Sequence, residues 1–244
     1  MLFLVVAGVA ALSEPPNKKT SLRAQVATAT PLEQQQQNAA PAVTRAVALT
    51  TAAGFAAIAA DVFVTKRVMP GIDQAGRAAA AAADARYDSL AGNALSNVAP
   101  CLAAATATAC AETRKNDRRR ALAVAGSWLA LNPVVLAFKS AFHRERPDPL
   151  HHRDKFSFPS GHTTNAAFFS ASLFAILLPS LANRNTPPIT PLFLCALCTS
   201  AVAVGRVLTD AHFVSDTLAG ASLGIFAASL AALLASDPSD AVDA

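Results

Sequence analysis

Six stretches of the chain are predominantly apolar, at about 46–65, 89–111, 121–138, 163–183, 185–205 and 217–236. Each is near the ~20 residues that a helix needs to cross ~30 Å of hydrocarbon. The pattern therefore predicts an all-α protein, a six-transmembrane-helix bundle. Asp61 interrupts the first run, and the third, bounded by Arg120 and Lys139, can extend by a turn at either end. Between the first two runs, Pro70 to Asp88 is alanine-rich and carries Asp73, Arg77, Asp84 and Arg86, which predicts a short helix at the membrane surface. Pro187, Pro188 and Pro191 separate the fourth and fifth runs.

The ends differ from this middle. Residues 1–45 hold a short apolar start, then Ser, Thr, Pro and Lys, and a glutamine run from Gln34 to Gln37, and they read as a disordered leader or targeting segment. The start is too short to span a bilayer and lacks a basic flank. A targeting arrangement for an endomembrane or a plastid and a plain cytosolic tail both fit. Residues 46–236 form the six-span domain, and 237–244 a short acidic tail.

Composition sharpens the membrane reading: hydrophobic residues are 53% and charged ones 15% of the 244 residues, where a soluble globule carries about 25% charged. A disordered chain is excluded. The net charge is +4, and half of the 20 Lys and Arg fall between Arg114 and Lys155, flanking hydrophobic runs rather than interleaving with aromatics. A nucleic-acid partner is set aside on that ground. The loop 112–120 is the densest basic cluster and by the positive-inside rule faces the cytoplasm or its equivalent. Six crossings then bring the loops 139–162 and 206–216 together on the opposite face. Cys195 and Cys198 have CxxC spacing but sit inside an apolar run, so membrane packing is the better reading, and His151 and His152 read as solvated loop residues.

All the candidate chemistry lies in those two loops. In the first, Lys139 closes the third run and Arg146 follows seven residues later, just before Pro147. On its own this also fits Lys139 and Arg144 reaching for the interface from a helix end. Next, Pro159-Ser160-Gly161-His162 enters the fourth run, where a serine cap, a glycine and free helix N–H groups make an anion site. A cap explains Ser160 but leaves the imidazole unexplained. Finally, Arg206 ends the fifth run, and His212 and Asp216 open the sixth on one helix face. A carboxylate accepting from one ring nitrogen leaves the other free as nucleophile or base. Asp210, nearby, has no evident role.

In this order and spacing the three stretches resemble the signature motifs of the type 2 phosphatidic acid phosphatase superfamily, which includes lipid phosphate phosphatases and vanadium-dependent haloperoxidases. Lysine, six residues, Arg-Pro is matched by Lys139 to Pro147, and Pro-Ser-Gly-His by Pro159 to His162. The third motif is matched by Arg206, His212 and Asp216, with Gly205 where serine is usual, a departure that touches a minor phosphate-side hydrogen bond. The resemblance covers roughly 120–236 and implies the integral-membrane branch.

It also implies roles. Lys139, Arg146, Arg206, Ser160 and the Gly161 N–H bind phosphate oxygens, with no metal and no cofactor. His212 is the nucleophile held by Asp216, and His162 the general acid and base. The implied substrate is a lipid phosphate monoester or diphosphate of the phosphatidic acid kind, met at the bilayer interface. Alternatives are a vanadate-dependent haloperoxidase and a non-catalytic transporter or scaffold of the same fold.

Overall fold

The computed structural model describes residues 31–83, 88–148, 154–178 and 189–236. Most of the 1–45 leader, the 237–244 tail, and His151 and His152 lie outside them. The architecture below is that of the compact unit Thr44–Asp237; residues 31–43 belong to a second unit and enter only as the helical start of α1. Among the described residues every extended element is a helix, apart from an isolated antiparallel bridge between Glu145 and Phe156.

Helix α1 (Pro31–Ala60) runs into a π-helical turn, Asp61–Thr65, closed by Lys66 at φ 52°. Asp61 marks the end of the first apolar helix rather than lining a cavity between helices. Its carboxylate accepts from the Thr65 hydroxyl and from the backbone N–H groups of Arg67 (3.1 Å), Val68 (2.9 Å) and Met69 (2.6 Å). It thereby satisfies donors at the start of α2 (Met69–Ala82), where Pro70 needs no partner for a missing N–H. Helix α2 is the expected short alanine-rich element, but its Asp73 is buried at 5% exposure.

Ser89 caps α3 (Leu90–Ser96), which is separated only by Asn97 from α4 (Val98–Asn116). Asp117 caps α5 (Arg118–Phe142) by accepting from the Arg120 N–H at 3.0 Å, and α5 ends at His143 in the left-handed region, φ 50°. Helix α6 (Gly161–Ala171) continues as a π-helical segment, Ser172–Leu177, and is followed by α7 (Ile189–Leu208) and α8 (Val214–Ala235).

Four of the expected six spans are long and apolar enough to cross a membrane: Thr44–Thr65, Leu90–Arg114, Arg118–Phe142 and Val214–Ala235. The other two, expected at 163–183 and 185–205, are helical over shorter described stretches, with 179–188 between them outside the described residues. Leu122, Leu129 and Leu136 on α5, Leu230 and Leu234 on α8, and Leu192, Phe193 and Leu197 on α7 are exposed. Leucines on the outside of long apolar helices are what a bilayer-facing surface presents.

Helix α8 is central, packing on α6, on α5 and, near its start, on α2. Its approach to α6 depends on small residues. A Cβ at Gly220 would lie 2.6 Å from the Ser160 carbonyl oxygen, and one at Gly224 would overlap the Thr164 carbonyl. Only glycine lets the two backbones come this close. The main apolar cluster, with Phe168, Leu173, Leu177, Val202 and Leu223, lies among α4 to α8. A second cluster surrounds Phe158, fully buried against Phe63 and Phe142 edge-on at ring distances of 5.1 Å and Phe55 at 5.9 Å. This aromatic nest anchors the loop that carries the Pro159 to His162 motif.

Candidate active site

The three motif stretches converge through backbone hydrogen bonds. The Ser160 N–H donates to the Asp216 carbonyl at 3.0 Å, and the Asp148 N–H to the Asp210 carbonyl at 3.2 Å. Asp210, which had no evident role in the sequence, sits at φ 52° in the tight turn between α7 and α8. Short acidic residues tolerate that left-handed conformation. The Ala211 and His212 N–H groups fold back onto the Arg206 carbonyl, both at 3.2 Å, which brings the cation and the histidine of the third motif together.

Lys139 and Arg146 are both buried, at 8% exposure, rather than reaching for solvent. The Lys139 ammonium donates to the Phe156 carbonyl at 3.0 Å. The Arg146 guanidinium donates to the Asp154 carbonyl at 2.6 Å and to the Ala211 carbonyl at 2.8 Å, and its Nη1 lies 3.1 Å from His212 Nε2. Burial lowers the pKa of Arg146, yet an arginine stays charged. The Arg206 Nε is buried without a hydrogen-bond partner among the described residues. Among the described residues the carboxylate paired with Lys139 and Arg146 is exposed: Asp154 lies 3.5 Å from Lys139 and 3.8 Å from Arg146, with its own side chain 67% exposed.

His212 is 2% exposed, and its Nδ1 stands 3.6 Å from an Asp216 oxygen, too long for a hydrogen bond in this state. Burial, aided by Arg146 and Arg206 and opposed by Asp216, draws its pKa down to about 3, so at neutral pH the ring is uncharged. Desolvation, then Arg206, Arg146 and Lys139, draws the pKa of His162, in the first turn of α6, down to about 4. Its side chain is nevertheless solvent-exposed, so water and any incoming anion act on it directly. Ser160 is fully buried, caps α6 by accepting from the Thr163 N–H, and shares a 3.1 Å hydroxyl contact with Thr163. A Cβ at Gly161 would meet only Val135, at an ordinary 3.7 Å, so the protein alone does not demand glycine there.

Gly205 is different. A Cβ there would lie 2.7 Å from both the Gly92 carbonyl and the Ser96 N, so the position where serine is usual in the related motif is filled by the backbone of α3.

The PAP2 superfamily model matches residues 120–238. Residues 120–238 belong to the PAP2 superfamily. The PAP2 segment contains all three motifs and starts near the beginning of α5. Over 106 residues the chain is 36% identical to phosphatidylglycerophosphatase B of Bacillus subtilis (strain 168), covering 43% of this chain and 51% of that protein. It is 33% identical over 132 residues to lipid A 1-phosphatase of Rhizobium etli, covering 45% and 52%. The chain thus spans about half the length of the curated relatives it matches. A crystal structure of a transmembrane PAP2-type phosphatidylglycerolphosphate phosphatase from Bacillus subtilis superposes with a TM-score of 0.64 at 23% identity, covering 76% of this chain and 94% of that one. The shared PAP2 fold therefore extends well N-terminal of the matched segment.

Every residue singled out from the PAP2 motifs lies in this convergence. Two further charged residues do as well, and sequence reasoning passed over both. Arg144 contacts Asp216 at 2.6 Å and Asp73 at 2.7 Å. Only the two-residue offset from Arg146 hinted at Arg144, and nothing local hinted at Asp73, whose partners lie 71 and 142 positions away.

Proposed function

We propose that the protein is an integral-membrane lipid phosphate phosphatase that works through a phosphohistidine and needs no metal. The observation that carries this reading is the meeting of Lys139, Arg146 and Arg206 with two uncharged histidines, one having its Nε2 3.1 Å from the Arg146 guanidinium. Lys139, Arg146 and Arg206, the first two paired among the described residues with the exposed Asp154, form a receptor for a multiply charged anion. The names of the relatives, both lipid phosphatases, and the leucine-covered outer helix faces support a substrate whose tail stays in the hydrocarbon. The preferred class is a phosphatidic acid-like monoester or diphosphate, met where the loops 139–162 and 206–216 open at one membrane face.

Lys139, Arg146 and Arg206 hold the nonbridging oxygens, completed by Ser160 and the Gly161 N–H. The lone pair on His212 Nε2 forms a bond to phosphorus as the bond from phosphorus to the lipid oxygen breaks, its electrons leaving on that oxygen. His162 gives the oxygen a proton, releasing the lipid alcohol. Water then attacks phosphorus and passes a proton to His162, the electrons of the N–P bond return to Nε2, and inorganic phosphate departs. Asp216 stabilises the charge on the His212 ring while it carries the phosphoryl group. In the free protein desolvation and the three neighbouring cations hold the pKa of His162 below its ordinary value. A phosphate dianion bound among the three cations offsets their field and raises its pKa, so the acid is loaded when substrate is present.

The test is phosphate release from a panel of lipid phosphates in detergent with EDTA, together with acid-quench trapping of phosphoenzyme. Activity that survives EDTA, is inhibited by vanadate and disappears with trapped phosphoenzyme in His212→Ala is expected. Loss in EDTA with recovery on Mg²⁺, or normal phosphoenzyme in His212→Ala, refutes the mechanism.

A further inference from the structure

A second charged cluster, built around Arg144, adjoins the histidines without including either of them. Arg144 follows the left-handed His143, and its carbonyl accepts from the Ser157 N–H at 2.7 Å, so its backbone is held. Its Nη1 donates to Asp216 Oδ1 at 2.6 Å and to the Ser215 hydroxyl at 2.7 Å, and its Nη2 donates to Asp73 Oδ2 at 2.7 Å. The guanidinium also lies over the Phe213 ring, 4.2 Å from its centroid. Asp73 in turn accepts from the Ser215 N–H at 2.8 Å and from the Ser215 hydroxyl at 2.7 Å. Asp216 is fully buried and Asp73 is 5% exposed.

A buried ion pair is weak evidence of anything beyond packing. Here the carboxylate that Arg144 grips is the one beside His212, and each of its oxygens is held by a group other than the imidazole. Oδ1 accepts from Arg144, while Oδ2 accepts from the Phe213 N–H at 2.9 Å and faces His212 Nδ1 at 3.6 Å. Among the described residues the side-chain hydrogen bonds of Arg144 run to Asp216, Ser215 and Asp73 and none to the Lys139, Arg146 and Arg206 set.

We propose that Arg144, itself held by Asp73 from α2, is a positioning residue that fixes the Asp216 carboxylate and through it the His212 ring. The positioning relay is Asp73, Arg144, Asp216, His212, and its first member lies outside the PAP2 segment 120–238. The inference rests on His212 as nucleophile and concerns what aims it. Arg144 also lines an open cavity of about 670 Å³ beside α2, so removing its side chain leaves a path by which a small planar cation can reach Asp216.

The experiment uses the full chain in detergent with Arg144→Ala, Arg144→Lys, Asp73→Asn and His212→Ala, reading kcat, KM, phosphoenzyme burst and stoichiometric vanadate binding. Arg144→Ala is expected to lose about 10²-fold in kcat, the scale of a misplacement of about 1 Å, with KM within about twofold. Guanidinium at millimolar concentration should restore at least tenfold of that loss in Arg144→Ala and none in His212→Ala. Arg144→Lys keeps the charge but not the fork, so its kcat should fall between wild type and Arg144→Ala and respond little to guanidinium. Asp73→Asn should show a smaller kcat loss, also at unchanged KM. A raised KM at unchanged kcat overturns the proposal, because Arg144 then binds substrate. So does an unrescued kcat in Arg144→Ala that still binds vanadate stoichiometrically. If Arg144→Ala does not fold, Arg144→Lys decides: kcat equal to wild type overturns the proposal, and a kcat loss at unchanged KM with full vanadate binding supports it. The two readings separate cleanly: a fully active His212→Ala sinks the phosphohistidine mechanism, whereas an inactive His212→Ala beside a fully active Arg144→Ala sinks only this inference.

Discussion

Replacing Gly205 by the serine that related motifs carry should damage the protein rather than improve it. A Cβ at position 205 would sit 2.7 Å from the Gly92 carbonyl oxygen and the Ser96 N and 2.8 Å from the Leu95 Cβ. The contact is reciprocal, since a Cβ at Gly92 would lie 2.8 Å from Thr209 Cγ2 and 3.2 Å from the Gly205 carbonyl. Two of the three atoms met at position 205 are backbone, so no side-chain rotation relieves the overlap and α3 must move off α7. Overpacking of this kind costs about 1–3 kcal/mol. At roughly 2–4 °C per kcal/mol for a chain of this size, the unfolding midpoint should fall by roughly 2–12 °C. Because Arg206 is the next residue, the displacement should also lower kcat/KM. Thermal unfolding in detergent and initial rates on a lipid phosphate should be compared for Gly205→Ser and Gly205→Ala. The two variants share the Cβ and differ only in the hydroxyl, so they should behave alike. A Gly205→Ser protein as stable as wild type, or more active than Gly205→Ala by tenfold, would refute the packing argument and restore the hydroxyl as a phosphate ligand.

Other outcomes follow from the same site. Asp154→Asn removes the exposed carboxylate that pairs with Lys139 and Arg146 in the absence of substrate. Exposed pairs are worth about 0.2–1 kcal/mol, so KM should fall by up to about fivefold at unchanged kcat, and a raised KM would mean that Asp154 helps hold substrate. His212 is buried uncharged, with a pKa of about 3 against 6.5 in the unfolded chain. Its contribution to stability is therefore complete above pH 6.5 and is lost as pH falls from 6.5 toward 3, by at most about 1.4 kcal/mol per pH unit. His212→Asn should flatten the acid side of the stability curve by that slope, and an unchanged curve would show that the ring is already charged in the fold. Single cysteines in 112–120 and at Asp148 should label from opposite membrane faces, because α5 separates them. Labelling from one face only would remove α5 from the set of spans.

Much of the architecture was legible in the chain because it depends on local patterns. Helices over the six apolar runs follow from hydrophobicity and length, and the start of one of them from Ser160 as a cap, while the caps at Ser89 and Asp117 emerged with the structure. The three motifs were legible for a similar reason: each is a cluster within about a dozen residues whose side chains share a loop or a helix start. Six full spans were not recovered in this form, since two of the apolar runs are helical over shorter described stretches.

What the chain alone could not reveal depends on which residues the packed helices bring together. Asp73 reads locally as one charge on a solvated surface helix, yet α2 docks against the start of α8 and buries it among Arg144 and Ser215. Arg144 reads as a snorkelling helix-end cation until α8 presents Asp216 to it. Gly205 reads as a lost hydroxyl, and only the backbone of α3 lying across α7 reveals that there is no room for one. A buried charge costs several kcal/mol unless a partner compensates it, and that partner is supplied by another helix far away in sequence. The candidate nucleophile is therefore a property of a short motif, while the network that holds its carboxylate belongs to the tertiary fold.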